Sequence, residues 1–543
     1  MQSNIVPFHQ KYASILIMFL LSVLACILVL KLTPFGIAIS PDSVSYLDAA
    51  RNIHLGHGIV STGFLIGGQT FEPFTVWPPL YPILLAVFPG IENNPSFAAV
   101  QAMMLTLALS GIFMFLLLRA RIGRVLAALA VITFYVSSAN LIISTYAWSE
   151  SLFVCLLLGA IYFGSQAVRL AEQPSRLKLL GVLLLLAMFL AGLFYTRYIG
   201  IVFGFLIPLT WLLSANRKNT FHIYLVSGIF YSALVVAWLI RNHLLGDITG
   251  GDVGHKARQS SDLSLFDNFD AVFDSLLLLF PNQSWGVLAA LFISVLSVIV
   301  IRRGLNAGEK QIIRIEDKNL TYLQYALGAA FLVYLIALIV LRSVTNFEAI
   351  RIRYIALVSP CLIAVLYIVI YRLIVRIDTT RYAQLLLVPV IATLVLVWIQ
   401  GGLVFKHGSQ NWQEAGTPNY PLTRNSPAMY SHLASPLYVR YFKHIITTLE
   451  LRADDTVVLQ NPKLFHFLTG VDAKKIPSKL NREAVNKINA DLNGGYLIFE
   501  GENAVKSAMS ALDLSPDFVH QNKLYSANAL ALDIPIDITN VSK

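Results

Sequence analysis

One aspartate at a helix start, one glutamate opening an apolar segment and four arginines beside apolar segments are the residues of this 543-residue chain best placed to do chemistry. Ser40-Pro41-Asp42-Ser43 carries the marks of a helix start: a serine cap, proline at the first position and an acid in the first turn. Asp42 there either complements the helix dipole or orients and deprotonates a substrate hydroxyl. Asp48 falls about 120° round the same helix and is expected to be solvated. Glu150 follows Ser149 at the start of an apolar segment, where it either serves as a first-turn acid or pairs with an arginine or substrate. Arg197, Arg241, Arg351 and Arg353 lie at the ends of apolar segments. Each either snorkels to lipid headgroups or binds a phosphate through its planar fork. Charge near membrane depth is costly and tends to be kept for function.

The elements that must position these residues are read from hydropathy. The chain is 56% hydrophobic and 13% charged, half the charge of a soluble domain. Apolar blocks near 13–32, 99–118, 125–144, 151–168, 178–195, 199–213, 221–240, 286–301, 321–341, 354–371 and 384–405 predict about eleven transmembrane helices. The first is too long for a signal-peptide core and is read as a retained anchor. Thr196-Arg197-Tyr198 interrupts a longer apolar stretch and predicts a tight polar turn between two short helices.

The net charge of +10 does not point to nucleic acid, because its arginines and lysines gather in short loops. Arg119, Arg121 and Arg124 follow the second block; Arg169, Arg176 and Lys178 the fourth; Arg217 and Lys218 the sixth. The loops after the eighth and tenth blocks are basic too. Positive-inside orientation then places the N-terminus in the cytoplasm and the odd-numbered exits outside. Asp42, the four arginines and the C-terminal tail share that outer face. Cys26, Cys155 and Cys361 all lie in apolar blocks, so no disulfide framework is expected.

Residues 1–405 are thus read as a polytopic, mainly α membrane domain with a first outer loop over 33–97. Residues 406–543 are read as a small extracytoplasmic α/β domain. In that tail, strand-like runs at Thr456–Gln460 and Tyr496–Glu500 alternate with helix-like runs at Lys463–Leu468, Arg482–Leu492 and Glu502–Leu512. In the outer loop, residues 42–53 predict an amphipathic helix along the membrane surface, ended by Gly56-His57-Gly58. Val76-Trp77-Pro78-Pro79-Leu80-Tyr81-Pro82 predicts an extended approach to a re-entrant or interfacial helix.

Pro41-Asp42-Ser43 with Tyr46 and Ala49-Ala50, a glycine-rich stretch, and Trp77-Pro78-Pro79-Leu80-Tyr81-Pro82 together resemble the first outer loop of GT-C glycosyltransferases. The branch they are most similar to is the bacterial protein O-mannosyltransferase and aminoarabinose-transferase group. Ser149-Glu150, Thr196-Arg197-Tyr198, Trp238 to Asn242, Arg353-Tyr354 and Leu459-Gln460-Asn461-Pro462 extend the resemblance over most of the chain. It implies a bacterial inner-membrane enzyme of the cell envelope, which moves a hexose or pentose from a polyprenyl-phosphate donor to a lipid, glycan or protein acceptor. Asp42 stands where the family places its catalytic carboxylate. Some members carry paired acids there, whereas Asp42 is followed by Ser43, which argues against a bound metal. No other cofactor is expected.

In such a transfer the leaving group is already a stable phosphate anion and needs no acid to protonate it, unlike glycoside hydrolysis. A single displacement needs one base at the acceptor hydroxyl and cations at the departing phosphate. Asp42 supplies the first. Arg197 and Arg353, then Arg241 and Arg351, supply the second, with Tyr46, Trp77, Tyr81 and Glu150 as substrate contacts. A transporter or flippase would instead carry charge at mid-span in paired broken helices, and a non-catalytic scaffold would bind no donor lipid. The spans here are largely clean of charge.

Overall fold

The computed structural model describes residues 8–34, 36–63, 70–172, 175–214, 216–245, 265–280, 317–344, 350–375 and 390–406, and, in the tail, 456–459, 471–475, 495–500 and 532–537. In chain order the elements are α1 (Phe8–Leu32), α2 (Pro41–His54), β1 (Val60–Gly63), β2 (Thr70–Pro73), α3 (Leu80–Val87), α4 (Pro95–Ile122), α5 (Arg124–Val136) and α6 (Ser138–Ile143). There follow α7 (Glu150–Leu170), α8 (Arg176–Thr196), a 3-10 helix (Tyr198–Phe205), α9 (Leu206–Leu213), α10 (Arg217–Leu244), α11 (Leu265–Leu277), α12 (Asp317–Val344), α13 (Ile352–Ala356) and α14 (Ser359–Val375). A last helix, α15, runs over Val390–Lys406.

The protein is a polytopic, mainly α membrane protein. Among the described residues, six helices are long and apolar enough to cross a membrane: α1, α4, α7, α8, α10 and α12. Four shorter apolar helices accompany them, so the predicted count of eleven is not reproduced among these residues. The apolar block at 286–301 lies outside the described residues. Phe19, Leu20 and Ile27 of α1 and Leu225, Ile229 and Phe230 of α10 point outward, as expected of lipid-facing sides. Helices α4, α7 and α8 pack against one another in the centre, where Met103, Phe153, Leu157, Leu190 and Leu193 are fully buried.

Two predicted spans are broken in the structure. The block at 125–144 divides at Ser137, which is extended (φ −62°, ψ 139°), and its hydroxyl bonds Phe134 O at 2.8 Å. A serine that takes a carbonyl from the helical ladder offers the chain a way out of the helix. The block at 354–371 divides between α13 and α14, with Pro360 in the first turn of the second piece, where a missing N–H is tolerated. The interruption at Arg197 falls where the sequence placed it: α8 ends at Thr196 and Arg197 is extended (φ −150°, ψ 133°). The chain folds back so tightly that a Cβ on Gly200 would collide with the Leu193 carbonyl.

Helix α2 corrects the sequence reading. It does not lie along a surface with one wet face: Val44, Tyr46, Leu47, Asp48, Ala49 and Ala50 are all buried. The β1–β2 hairpin, paired from Val60↔Pro73 to Gly63↔Thr70, and helix α3 cover the side expected to be wet. Asp48 is therefore not solvated. Its two carboxylate oxygens accept hydrogen bonds from Thr62 N (2.8 Å) and Thr62 Oγ1 (2.7 Å), tying the hairpin to α2. Gly56 and Gly58 end the helix as predicted, at φ 83° and 92°.

In the tail, β3 (Thr456–Leu459), β4 (Asp472–Lys475), β5 (Gly495–Glu500) and β6 (Leu532–Asp537) form one sheet in the order β4-β3-β5-β6. Strand β3 runs parallel to β4 and β5, and β6 is antiparallel to β5. Parallel neighbours require crossover segments, and the predicted helical runs of the tail lie outside the described residues.

Candidate active site

Asp42 owes its position to the cap. Ser43 N donates to Ser40 Oγ (3.4 Å) and Ser40 N donates to Ser43 Oγ (3.0 Å), a reciprocal capping box that starts α2 one residue before Asp42. The cap is anchored from a distance: Trp148 Nε1 donates to Ser40 Oγ at 2.7 Å. The segment before it is stitched to the loop preceding α7, with Ala38 N donating to Thr145 O (2.8 Å) and Ala147 N to Ala38 O (2.9 Å). That pairing sets the N-termini of α2 and α7 side by side. It brings Asp42 close to Glu150.

Around these two carboxylates the structure gathers two arginines. Arg353 Nη2 donates to Asp42 Oδ2 at 2.9 Å, and Arg353 Nε lies 3.4 Å from Glu150 Oε1. Arg197 Nη1 donates to the same Glu150 Oε1 at 2.7 Å. The Glu150 side chain is 1% exposed, Arg353 10%, Arg197 11% and Asp42 22%, so Asp42 is the wettest member. Two carboxylates and two guanidiniums balance formally. Aromatic faces hold the cations: Arg353 Cζ lies 4.8 Å from the Trp148 ring centroid and 5.2 Å from that of Tyr354, and Arg197 Cζ 5.7 Å from Tyr354. Burial works against the charge of both arginines, yet Glu150 and the surrounding groups, Tyr46 and Tyr354 at Arg197 and Tyr354 and Asp42 at Arg353, together outweigh it, and both hold their protons more firmly than usual.

The loop aromatics form a wall beside this cluster. Tyr46 packs edge-on against Tyr81 (5.2 Å between centroids) and tilted against Trp77 (6.0 Å). The Tyr46 hydroxyl lies 3.3 Å from Ser149 Oγ, which joins it to the arginine pair, since Arg197 Nη1 reaches Ser149 Oγ at 3.5 Å. Burial raises the Tyr46 hydroxyl well above its usual pKa, as does burial at Tyr81. The Tyr81 hydroxyl has no hydrogen-bond partner among the described residues.

Of the residues named from sequence, Asp42, Glu150, Arg197, Arg353, Tyr46, Trp77 and Tyr81 thus come together, and two arginines stand apart. Arg241 spends its guanidinium on the outer loop, with Nη1 donating to Phe74 O (3.2 Å) and Asn242 Oδ1 (2.9 Å) and Nη2 to Ile59 O (3.3 Å). Its Cζ lies 4.5 Å from the Trp238 ring centroid. Arg351 precedes α13, and its exposed side chain makes no capping hydrogen bond to it. Ser40 is the cap the sequence predicted, whereas sequence reasoning missed Trp148 as part of the site. The signal for Trp148 was its place two residues before a buried acid.

No family model matches the sequence, and no curated protein matches it either. Among solved structures, ArnT from Cupriavidus metallidurans bound to undecaprenyl phosphate superposes with a TM-score of 0.57 over 92% of this chain and 95% of that one, at 11% identity. The chain shares the fold of ArnT. The apo form of the same ArnT superposes on this chain with a TM-score of 0.55 and 12% identity, again over 92% and 95%. The fold is therefore shared although the sequences are only 11–12% identical.

Proposed function

We propose that this GT-C chain is a glycosyltransferase of the bacterial inner membrane, with its N-terminus in the cytoplasm and its site at the outer face. It takes a sugar from a polyprenyl-phosphate donor and passes it to a hydroxyl of a lipid, glycan or protein acceptor. The observation that carries the reading is the Asp42–Arg353 contact: the wettest carboxylate of the cluster touches a guanidinium shared with a buried carboxylate. That is the pairing a single displacement at a sugar phosphate needs, with a base on one side and phosphate cations on the other.

The acceptor hydroxyl oxygen forms a bond to the anomeric carbon as the bond from that carbon to the phosphate oxygen breaks. The electron pair leaves with the phosphate, and the acceptor proton passes to Asp42. The anomeric centre inverts. Arg353 and Arg197 meet the departing phosphate, and a phosphate on Arg353 competes directly with its bond to Asp42. Donor binding in this scheme releases the Asp42 carboxylate for the acceptor. Trp77, Tyr46 and Tyr81 offer a ring wall and a free hydroxyl to the sugar. Glu150 keeps the two arginines in register. Both carboxylates are occupied by guanidinium groups, which favours a mechanism without a divalent cation. The ArnT structure holds bound undecaprenyl phosphate, and we extend that ligand class to this chain.

Native mass spectrometry of the purified protein tests the reading. The expected result is a bound polyprenyl phosphate or its sugar-linked form. Purification with ordinary phospholipids alone, and no uptake of added undecaprenyl phosphate, would defeat it.

A further inference from the structure

Tyr334 sits at position 18 of the 28-residue helix α12, well inside a predicted span. It is completely buried, and its hydroxyl has no hydrogen-bond partner among the described residues. A buried phenol without a partner costs about as much as a lost hydrogen bond, and at membrane depth no bulk water offsets it. Such a group calls for an explanation that a core tyrosine does not give. Twelve residues earlier on the same helix, Tyr322 is equally buried, but its hydroxyl lies 3.2 Å from Thr210 Oγ1.

The position of Tyr334 relative to the site is well defined. Its ring stacks on Phe203 (6.1 Å between centroids, 22° between planes), and Phe203 packs on Phe153 (5.7 Å), which is one turn deeper into α7 than Glu150. The ring thus lies on the side of the Glu150–Arg197–Arg353 cluster that faces the body of the membrane. Its hydroxyl lies within electrostatic reach of Arg197, Tyr354, Glu150 and Arg353. The wall of Trp77, Tyr46 and Tyr81 belongs to the outer loop. The lipid donor of the proposed reaction carries its sugar on one side of the phosphate and its prenyl chain on the other. With the sugar against the loop wall and the phosphate on the arginines, the membrane side of the phosphate comes to Tyr334.

We propose that Tyr334 is a donor-binding residue, whose hydroxyl donates a hydrogen bond to a phosphate oxygen of the polyprenyl-phosphate lipid from the membrane side of Arg197 and Arg353. The inference rests on the proposed donor class. A phenol there distinguishes a phosphorylated polyprenyl lipid from the free alcohol without adding a third cation to the site.

The test compares wild type, Tyr334→Phe and Tyr322→Phe, reading undecaprenyl phosphate and undecaprenol binding by titration in nanodiscs together with thermal unfolding. Tyr334→Phe removes one unpartnered hydroxyl, so its melting temperature should equal or exceed that of wild type. Its affinity for undecaprenyl phosphate should fall on the order of 10- to 100-fold, the range for a hydrogen bond to a charged acceptor. Undecaprenol binding should not change. Tyr322→Phe should show the reverse pattern, with lower stability and unchanged affinity. Undecaprenyl phosphate binding within twofold of wild type in Tyr334→Phe overturns the inference and leaves the proposed function standing. A loss of binding that comes with a lower melting temperature also overturns it, because the hydroxyl then serves the fold. Absence of saturable undecaprenyl phosphate binding in wild type overturns both.

Discussion

Arg353 Nη2 and Asp42 Oδ2 meet at 2.9 Å although 311 positions separate the two residues in the chain. The contact joins the first loop of the fold to the short helix α13, and it puts the candidate base in the hands of a candidate phosphate ligand. Arg353 also faces Glu150 at 3.4 Å, so a phosphate that displaced Asp42 would leave it one carboxylate.

Replacing Arg353 with lysine keeps the charge and loses the fork that spans the two carboxylates. Arg353→Lys should weaken donor binding by about 1.5–3 kcal/mol, a KM increase on the order of 10- to 100-fold. Steady-state kinetics against donor lipid reads this directly. A wild-type KM in the lysine variant would remove Arg353 from the phosphate site.

Glu150 is the buried counter-charge of both arginines, and breaking a buried pair on one side costs about 3–5 kcal/mol. Glu150→Gln should therefore lower the melting temperature. Added undecaprenyl phosphate should restore much of the loss, since its negative charge replaces the missing one and binds the folded state alone. Equal stabilisation of wild type and variant by the lipid would argue that the phosphate goes elsewhere.

Much of this was legible in the sequence, and the failures have physical causes. Asp42 could be read because serine, proline and acid at fixed offsets specify a helix start whatever surrounds it. Asp48 could not, because its surroundings come from the hairpin at Val60–Pro73, which periodicity within α2 does not reveal. Arg241 and Arg353 look alike in sequence, since a guanidinium fork suits a phosphate and a pair of backbone carbonyls equally. Only the fold sends Arg241 to Phe74 and Ile59. Tyr334 gave no signal at all, because an aromatic in an apolar segment reads as packing until its hydroxyl is found without a partner.

Asp48 and Thr62 make a prediction separable from the site. Asp48→Asn retains the size but weakens two hydrogen bonds, so it should destabilise the protein by about 1–3 kcal/mol. Thr62→Val should do much the same, and the two effects should not add. Fully additive losses in the double variant, measured by chemical unfolding, would mean that the two side chains act independently.

Burial raises the hydroxyls of Tyr46 and Tyr81 above the ordinary tyrosine value of about 10. The stability tied to keeping them neutral is fully present below pH 10. Above that, the unfolded chain sheds protons that the folded chain retains, so stability falls as pH rises. Thermal unfolding between pH 9 and 11 should show a slope that Tyr46→Phe and Tyr81→Phe each reduce. An unchanged slope in both variants would contradict the buried, neutral state of the ring wall.

Whether Asp42 accepts the acceptor proton is decided by sugar transfer from labelled donor lipid in membranes of Asp42→Asn. Turnover should fall on the order of 10²- to 10⁴-fold, the span of general base catalysis, with expression, melting temperature and undecaprenyl phosphate binding retained. Near-normal turnover in Asp42→Asn would contradict it.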